Sequence, residues 1–269
     1  MSKIAAARSF LFVPGDRPER IDKAIATGAD VVIIDLEDAV EPAHKEQART
    51  ALEPWLDSPT PVVIRINAPD SPWHEDDLAL VSRHRGLVMV PKSEDVTALE
   101  RVARATRSGG VIALIETARG VERAAEIALA SGVERLAIGN VDLAAQLGID
   151  PDDQDALRYA RSRLVMASAH GALPGPIDGV TLALDDEVTL RADLVAGRRL
   201  GFAAKMCIHP RQVRPVNEEF SPTPEQVIWA RSIVAEASEG VSVHEGKMVD
   251  RPVILRAETI LERHRALDR

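Results

Sequence analysis

The chain of 269 residues has little that would link it to an oxidising compartment, a membrane or a nucleic acid. It contains a single cysteine, Cys207, so no disulfide can form within the chain, which is typical of proteins in a reducing compartment. No apolar run approaches the ~20 residues that a membrane-spanning helix needs, and the N-terminal segment MSKIAAARSF lacks the apolar core of a signal peptide. The net charge of −9 disfavours duplex nucleic acid and anionic membranes as partners. We therefore expect a cytoplasmic protein that binds neither nucleic acid nor membrane.

What the sequence does contain is a repeated alternation of short apolar segments with amphipathic ones. Several of the short segments are apolar without alternation, as expected of strands buried on both faces. Eight strands are predicted, at 9–13, 30–35, 61–66, 86–90, 110–115, 135–138, 173–180 and 202–208. Helices are predicted between them, at 18–28, 42–56, 75–84, 94–108, 119–131, 157–171 and 185–200. Such alternation implies parallel strands, and eight of them favour closure into a (β/α)8 TIM barrel over an open sheet.

The chain continues well beyond the eighth predicted strand, further than barrel closure requires. A Ser/Thr–Pro start predicts a helix over 224–239, and an extended stretch closed by Pro252 leads to a last helix over 253–266. We expect a barrel catalytic domain over 1–215 and a C-terminal helical extension over 216–269. The extension could be packing, a lid, or an arm that reaches a neighbouring subunit.

Polar residues follow every predicted strand, at the end where a barrel of this kind forms its active site. Together they favour one polar mouth. The residues at these ends are Arg17, Asp35, Glu37, Asp38, Arg65, Asn67, Lys92, Glu116, Asn140, Asp142, Asp178, Lys205 and His209.

Glu116 and Asp142 form the sharpest pair, because they lie about one βα repeat apart and should reach similar heights on adjacent strands. Neighbouring strands are only about 5 Å apart, so both carboxylates can reach one cation. Two carboxylates without His or Cys suit a hard ion such as Mg²⁺. The alternative is that each acid serves a helix N-terminus, with Glu116 opening ETARG and Asp142 preceding LAAQL. Spacing alone leaves both interpretations open.

Two arginines are candidates for binding an anion. Arg65 lies inside the apolar segment PVVIRI, where a cation must find an anion, either a ligand carboxylate or an internal acid such as Glu37. Arg17 follows a Pro-Gly turn near a helix start, where it could bind a phosphate or pair with Asp16 or Glu19.

The chain resembles the citrate lyase β-subunit/malyl-CoA lyase family of CoA-ester lyases, within the HpcH/HpaI aldolase superfamily. The matching segments follow the family order over nearly the whole chain. They are FLFVPGDRPER (10–20), VVIIDLEDAV (31–40), VIRINAPDSPW (63–73), VPK (90–92), IALIETARGV (112–121), IGNVDLAAQLG (138–148), GFAAKMCIHPRQ (201–212) and EGKMVDRPVILRA (245–257).

The resemblance implies roles for particular residues. Glu116 and Asp142 are implied to bind Mg²⁺, and Arg65 to contact the substrate carboxylate or thioester oxygen. Asp250 is implied to act as acid/base, from a neighbouring subunit of a homotrimer. The remaining residues expected at the substrate are Arg17, Gly139, Asn140 and Val141, the last three through a backbone segment that binds the 2-oxoacid. Those expected to support the site from beside it are Glu37, Asp38 and Lys92.

The sequence departs from the family pattern at one site position. Many relatives read G-A-E-D or G-P-A-D where this chain has Gly139-Asn140-Val141-Asp142. Asn140 therefore bears on the fit of the carboxylate pocket, whereas Asp142 is retained.

The implied activity is that of a carbon–carbon lyase of the oxo-acid-lyase type. Its substrate would be a thioester of the malyl-, citramalyl- or citryl-CoA type. Reversible Claisen chemistry would cleave it to a 2-oxoacid and acetyl-CoA or a related thioester. Two alternatives stay open. One is a citrate lyase β-type subunit that acts on a carrier-protein thioester within a complex, and the other is a Mg²⁺-dependent aldolase of free 2-oxoacids.

Overall fold

Eight parallel strands close into a barrel in which β1 pairs with both β2 and β8. The strands are β1 Ser9–Pro14, β2 Val31–Asp35, β3 Val62–Arg65, β4 Val88–Val90, β5 Val111–Ile115, β6 Val133–Ile138, β7 Ile177–Asp178 and β8 Ala204–Cys207. They lie at the eight predicted positions, and the predicted (β/α)8 TIM barrel is confirmed.

The structure, a computed structural model, describes residues 3–56, 62–84, 86–107, 110–236, 242–244 and 247–267. The chain forms two compact units. One is the barrel unit, Ala7–Glu219, and the other, the terminal unit, consists of residues 1–6 and 220–269. Within the described segments, no helix combines the length and apolarity needed to cross a membrane.

The barrel strands are separated by helices that differ from the predicted ones in a few places. The helices are α1 Lys3–Ala6, α2 Pro18–Ile25, α3 Lys45–Ala51, α4 His74–Val81, α5 Val96–Ala105, α6 Ala118–Glu122, α7 Ala124–Ala128, α8 Asn140–Leu147, α9 Arg158–His170, α10 Glu187–Leu200, α11 Val213–Glu219, α12 Pro224–Glu236 and α13 Arg251–Leu267. The single helix predicted over 119–131 is interrupted at Arg123, whose backbone leaves the helical region and whose guanidinium donates to the Glu94 carbonyl at 2.6 Å. The predicted boundaries at residues 61, 108 and 237–239 fall outside the described residues.

Strand β7 is far shorter than the predicted strand over 173–180. It comprises Ile177 and Asp178 alone, because Pro174 and Pro176 have no N–H with which to extend the ladder. This brevity matters for the site, because the chain leaves the sheet early and the segment after β7 reaches across to the start of α8.

The terminal unit contains the helices α12 and α13 and an antiparallel hairpin of β9 Ser242–His244 and β10 Lys247–Val249. Its core consists of Val227, Ala230, Ile233, Val249, Ala257 and Leu261. The prediction that Pro252 closes the extended stretch is wrong. Pro252 is the second residue of α13, a position where the missing N–H has no partner within the helix to lose.

Candidate active site

The C-terminal ends of the barrel strands surround a cavity of about 370 Å³. Residues from six of the eight strand ends contribute to its wall. The lining residues are Phe12, Asp35, Asp38, Ala39, Arg65, Leu114, Glu116, Gly139, Asn140, Val141, Asp142, Val180, Met206 and Ile208. The predicted metal pair and the predicted substrate-binding arginine therefore face one space.

Arg65, at the end of β3, is held mainly by Asp35, which was predicted to lie at the polar mouth but was assigned no particular role. Its Nε and Nη2 donate to the two oxygens of Asp35 at 2.7 and 2.6 Å, a bidentate pair across the β2–β3 register. Its Nη1 lies 3.1 Å from Glu37 Oε2. Burial lowers the pKa of Arg65, but the charge and hydrogen bonds of Asp35 outweigh burial and raise that pKa. Arg65 is thus permanently positively charged, and its Nη1 atom lies on the side of the guanidinium that faces Glu37 and Asp38.

Asp35 also organises the loop that follows β2. Its Oδ1 accepts from the Glu37 N–H at 2.9 Å and its Oδ2 accepts from the Ala39 N–H at 3.0 Å. One carboxylate therefore fixes both Arg65 and the backbone that carries Glu37. The sequence signal for this role is that Asp35 ends a buried strand next to the strand that carries a buried arginine.

A buried lysine reinforces the same loop from the far side. Lys45 Nζ donates to the Leu36 and Glu37 carbonyls, both at 2.7 Å, and to Asn67 Oδ1 at 2.8 Å. Asn67 in turn donates its side-chain amide to Asp77 at 2.6 Å. Three oxygen acceptors satisfy the ammonium, so the backbone between Asp35 and Glu37 is clamped. Sequence reasoning assigned Lys45 no role, because a lysine at the start of an amphipathic helix normally points to solvent.

Glu116, one residue beyond β5, is buried and surrounded by other charges. Its Oε1 accepts the Lys92 backbone N–H at 2.8 Å. Burial, together with the charge of Glu37, raises the pKa of Glu116 to about 8, although the Lys92 amide and Arg65 oppose this and Asp142 adds to it. The expected alternative, a helix-capping role, falls to Thr117, whose hydroxyl oxygen accepts from the Gly120 N–H at 3.1 Å.

Asp142 lies in the first turn of α8 and is half-buried in the cavity wall. That position satisfies the helix N-terminal role and leaves the carboxylate facing the same space as Glu116. Gly139 makes their proximity possible, since a Cβ there would lie 2.5 Å from Glu116 Oε2. Across the described segments, no cluster of three or more His, Cys, Asp or Glu side chains forms a complete metal cage. A cation on Glu116 and Asp142 would therefore keep positions for water and substrate, which fits Mg²⁺.

Asn140, the departure from the family pattern, is a structural tie at the edge of the cavity. Its Oδ1 accepts from the Val180 N–H at 2.9 Å and its Nδ2 donates to the Val180 carbonyl at 3.1 Å. The side chain thus holds the start of α8 to the segment after β7. Gly179 must lack a side chain here, because a Cβ would lie 2.1 Å from Asn140 Oδ1.

The expectation for the backbone amides of Gly139 to Val141 needs one correction. The Gly139 N–H donates to the Ile115 carbonyl at 2.9 Å and completes the barrel ladder, so it is not directed at a ligand. The amides of Asn140 and Val141 begin α8 at the cavity, and the first amides of a helix have no acceptor within it. These two are the amides suited to an oxoacid carboxylate.

The residues expected to support the site are close to Arg65. Glu37 joins Arg65 to Lys92, whose Nζ donates to Glu37 Oε1 at 2.8 Å. Burial raises the pKa of Glu37, and the two cations oppose this. Asp38 lines the cavity but is exposed, with its carboxylate 3.8 Å from Arg65 Nη1.

Seven of the thirteen predicted strand-end residues do not line this cavity; they are Arg17, Glu37, Asn67, Lys92, Asp178, Lys205 and His209. Arg17 is 57% exposed and lies 3.9 Å from Asp16, as the surface-pair alternative requires. Asp178 and Lys205 contradict the prediction that every strand end contributes to one polar mouth. Asp178 pairs at 2.5 Å with the buried Arg161 of α9, outside the barrel wall, and Lys205 Nζ donates to the Gly179 carbonyl at 2.7 Å beside it.

Asp250 belongs to the terminal unit. Its Oδ1 accepts from the Val253 N–H at 3.3 Å, so the carboxylate caps the start of α13. The carboxylate therefore has a structural role at the start of α13, and its second oxygen is not used in this hydrogen bond.

The fold and the cavity together define a (β/α)8-barrel enzyme site that combines a carboxylate pair with an ion-paired arginine. The sequence model of the HpcH/HpaI aldolase/citrate lyase family matches residues 8–210, and the chain belongs to this family. The predicted family and the predicted enzyme class, a lyase, are confirmed.

The relatives carry two kinds of name. The chain is 41% identical to the citrate lyase subunit beta-like protein of Mycobacterium tuberculosis strain H37Rv over 98% of this chain and 97% of that one. It is 34% identical to a (3S)-malyl-CoA thioesterase of Cereibacter sphaeroides strain ATCC 17023, over 97% and 95%.

Solved structures agree with the barrel. CitE from M. tuberculosis in complex with magnesium, acetoacetate and coenzyme A superposes with a TM-score of 0.83 at 37% identity and covers 97% of this chain and 99% of its own. Two further M. tuberculosis structures contain magnesium with pyruvate and magnesium with oxaloacetate.

Proposed function

We propose that this protein is a Mg²⁺-dependent lyase that cleaves a 3-hydroxy-carboxylate thioester of CoA into acetyl-CoA, or a related thioester, and a 2-oxoacid, and that it catalyses the reverse condensation. The observation that carries the proposal is that Glu116, Asp142 and Arg65 line one cavity. The magnesium, coenzyme A and oxoacid ligands of the M. tuberculosis relatives support it.

Glu116 and Asp142 are the residues that would hold the Mg²⁺. The pKa of Glu116 is raised to about 8 mainly by burial and by the charge of Glu37, and Asp142 adds to it. A divalent cation between the two carboxylates that face the cavity would relieve their repulsion. When bound, Mg²⁺ supplies Lewis acidity toward the 3-hydroxyl and carboxylate of the substrate.

Arg65 has the task of stabilising negative charge on the thioester. In cleavage the 3-hydroxyl gives its proton to solvent and its oxygen becomes the carbonyl oxygen of the 2-oxoacid. The bond between the α and β carbons breaks, and its electron pair moves to the thioester as an enolate. Asp35 occupies Arg65 Nε and Nη2, so the two-point fork of the guanidinium is used inside the protein. Nη1, which lies 3.1 Å from Glu37 Oε2, is the proposed donor toward the enolate oxygen, and its position is set before substrate binds.

Asp250 is proposed to deliver the proton to the enolate carbon, from a neighbouring subunit of a homotrimer. Its capping hydrogen bond gives the test a clean control, because asparagine caps a helix as well as aspartate does. We expect Asp250→Asn to keep the melting temperature and lose turnover by ~10²-fold, as for loss of a general acid. Asp250→Ala should lower both the melting temperature and the turnover. Equal turnover of Asp250→Asn and wild type would show that Asp250 caps the helix and has no role in catalysis.

The assignment to a second subunit has its own test. Asp250→Asn and Glu116→Ala chains are each expected to be inactive, but mixed oligomers contain sites with an intact metal pair from one chain and an intact acid from another. Co-expression should therefore restore part of the turnover. No recovery in oligomers shown to be mixed would mean that Asp250 acts within its own chain or has no catalytic role.

The charges of the cavity favour a 2-oxoacid with one carboxylate, such as glyoxylate or pyruvate, over oxaloacetate. Among the residues that line the described cavity, Arg65 is the only cation, and four lining residues are acidic: Asp35, Asp38, Glu116 and Asp142. With Mg²⁺ on Glu116 and Asp142, and with Arg65 paired to Asp35, the carboxylate of Asp38 is left uncompensated and disfavours a second substrate carboxylate. Leu114, Val180 and Met206 in the wall suit a hydrogen or methyl substituent instead.

The decisive experiment is an assay of purified protein with Mg²⁺ and malyl-, citramalyl- and citryl-CoA, in which released 2-oxoacid and CoA thioester are both quantified. We expect 2-oxoacid and acetyl-CoA in equal amounts, with citryl-CoA the poorest substrate. No 2-oxoacid from any ester would overturn the proposal. Turnover limited to carrier-protein thioesters would support a citrate lyase β-type subunit instead, and turnover limited to free 2-oxoacids would support an aldolase.

Thioester hydrolysis is a second candidate, favoured by the similarity to the (3S)-malyl-CoA thioesterase. The same assay separates the two activities, because hydrolysis of malyl-CoA yields malate and free CoA thiol without glyoxylate. A thiol signal without 2-oxoacid would identify the hydrolase.

A further inference from the structure

Lys92, two residues beyond β4, has a backbone conformation that residues with side chains rarely adopt. Its φ is +47°, in the left-handed region. Among the described residues, Ala172 is the other non-glycine residue with positive φ. Such a conformation is unfavourable unless the surroundings enforce it, and it recurs where a backbone group must point in a particular direction.

The left-handed turn directs two groups of Lys92 to two different parts of the site. The backbone N–H donates to Glu116 Oε1 at 2.8 Å, and Nζ donates to Glu37 Oε1 at 2.8 Å. Glu37 Oε2 lies 3.1 Å from Arg65 Nη1. One residue therefore touches the proposed metal ligand through its backbone and the arginine's carboxylate partner through its side chain.

The neighbouring residue keeps this turn in place. The Ser93 N–H donates to the Leu114 carbonyl at 3.1 Å, and the Ser93 hydroxyl donates to the Val90 carbonyl at 2.8 Å. The backbone on the C-terminal side of Lys92 is thus bound to β5 and to β4. The conformation of Lys92 follows from these contacts as well as from its own hydrogen bonds.

We infer that Lys92 is a positioning residue with two separable roles: its amide orients Glu116 for metal binding, and its ammonium holds Glu37 against Arg65 for turnover. The inference rests on the proposed function for the identity of the metal and of the reaction. Outer contacts of this kind commonly change metal affinity by ~10–100-fold when they are removed.

Four substitutions separate the two roles. Lys92→Met removes the ammonium and keeps an unbranched side chain, while Lys92→Gly removes the ammonium and adopts positive φ freely. Lys92→Val also removes the ammonium, but a β-branched residue resists positive φ and turns the amide away from Glu116. Ala172→Val places the same strain on the exposed turn after α9, away from the cavity, and serves as the matched control.

Mg²⁺ binding, measured by calorimetry without substrate, reports the backbone role. We expect Lys92→Met, Lys92→Gly and Ala172→Val to bind within ~3-fold of wild type, and Lys92→Val to bind ~10-fold or more weakly, as expected for the energy of left-handed backbone in a residue with a side chain. Turnover reports the ammonium role, and Lys92→Met should lose ~10-fold or more in kcat with little change in KM. Equal Mg²⁺ affinity of the Met and Val variants would overturn the first role, and wild-type kcat for Lys92→Met would overturn the second.

If Lys92→Val does not fold, Lys92→Thr replaces it, because threonine is also β-branched, and it should bind Mg²⁺ more weakly than Lys92→Met. Crystal structures of the metal-free Met and Val variants give a reading that needs neither metal nor reaction. The Glu116 carboxylate should stay in place in the Met variant and move in the Val variant. If wild type binds no Mg²⁺, the proposed function fails, whereas these two structures still decide whether Lys92 orients Glu116.

Discussion

The molecule contains two buried arginine–aspartate clusters of similar construction and different consequence. In one, Arg65 pairs with Asp35 and lies over the ring of Phe12 at 4.9 Å. In the other, Arg161 pairs with Asp178 and lies over the ring of Phe202 at 5.2 Å. Buried charge therefore does not by itself mark a functional site.

What separates the two clusters is the balance of charge and the space beside them. The Arg65 cluster carries additional acids, Glu37 and Glu116, and borders the 370 Å³ cavity. The Arg161 cluster holds a second cation, Lys205, 3.9 Å from Asp178, and none of its members lines that cavity. An excess of carboxylate next to open space identifies the site, whereas the other cluster has two cations for one carboxylate and does not border that cavity.

Removing the excess carboxylates should have the largest effect. Glu116→Ala and Asp142→Ala should each abolish Mg²⁺-dependent turnover, because one carboxylate and the remaining charges cannot hold the ion. Calorimetry should show loss of Mg²⁺ binding, with circular dichroism unchanged. Asp178→Asn is the matched change in the other cluster, and we expect it to lower the melting temperature without loss of Mg²⁺ binding. Undiminished turnover in either alanine variant would disprove the metal assignment.

Exchange of the two arginines for lysine should separate catalysis from stability. Arg65→Lys breaks the two-point pair with Asp35 and misplaces the positive charge, so turnover should fall by ~10²-fold or more. Arg161→Lys should lower the free energy of unfolding by ~1–3 kcal/mol and leave kcat within about twofold of wild type. The measurements are steady-state kinetics and urea denaturation of both variants. An Arg65→Lys enzyme of near-normal rate would show that the charge suffices without the fork.

Each cluster lies against a glycine whose lack of a side chain leaves space for a carboxylate. Substituting each glycine by alanine gives a second matched pair of variants, with smaller expected effects. A Cβ at Gly139 would lie 2.5 Å from Glu116 Oε2, and a Cβ at Gly197 would lie 2.5 Å from Asp178 Oδ2. Gly139→Ala should weaken Mg²⁺ binding by ~10-fold or more, because Glu116 must move. Gly197→Ala should lower stability by ~1–3 kcal/mol and leave Mg²⁺ affinity unchanged. Similar Mg²⁺ affinities in the two variants would contradict the proposal that only the cluster around Arg65 takes part in metal binding.

The smallest predicted effect is on the pH dependence of stability in the metal-free protein. Because the pKa of Glu116 is raised to about 8 by burial, the folded protein holds this proton more tightly than the unfolded chain does. Its contribution is therefore complete below the unfolded pKa, ~4.5, and is lost as the pH rises through about 8. Urea denaturation between about pH 5 and pH 8 should show this decline, which levels off above about pH 8, and Glu116→Gln should flatten it. Parallel pH profiles for the two proteins would contradict the assignment.

The sequence was sufficient for the barrel and for the placement of Glu116 and Asp142 at one cavity, for a physical reason. Each strand is a short apolar run bounded by helical periodicity, and the spacing of Glu116 and Asp142 matches one βα repeat, so local pattern and repeat length carried both predictions. The boundaries failed where local chemistry intervened, at the prolines around β7 and at Arg123.

The direction in which a strand residue points was not predictable. Strands buried on both faces show no alternation, so nothing in the sequence distinguishes Asp35, which faces the barrel interior, from Asp178, which faces the helices. The partner of Arg65 depends on the register between β2 and β3, and the capture of Lys45 by three oxygens depends on the path of a loop. Both are set by tertiary packing rather than by local sequence.

The single thiol of the chain, Cys207, has a practical consequence for fluorescent labelling of the protein. Cys207 is fully buried in β8, and burial raises its pKa to about 12, so at neutral pH it offers almost no thiolate to an alkylating reagent. The protein is thus a ready background for site-specific labelling without prior removal of a native cysteine. A fluorophore attached through Met248→Cys, at an exposed position two residues before Asp250, would report by its emission how the surroundings of that aspartate change as substrate is added.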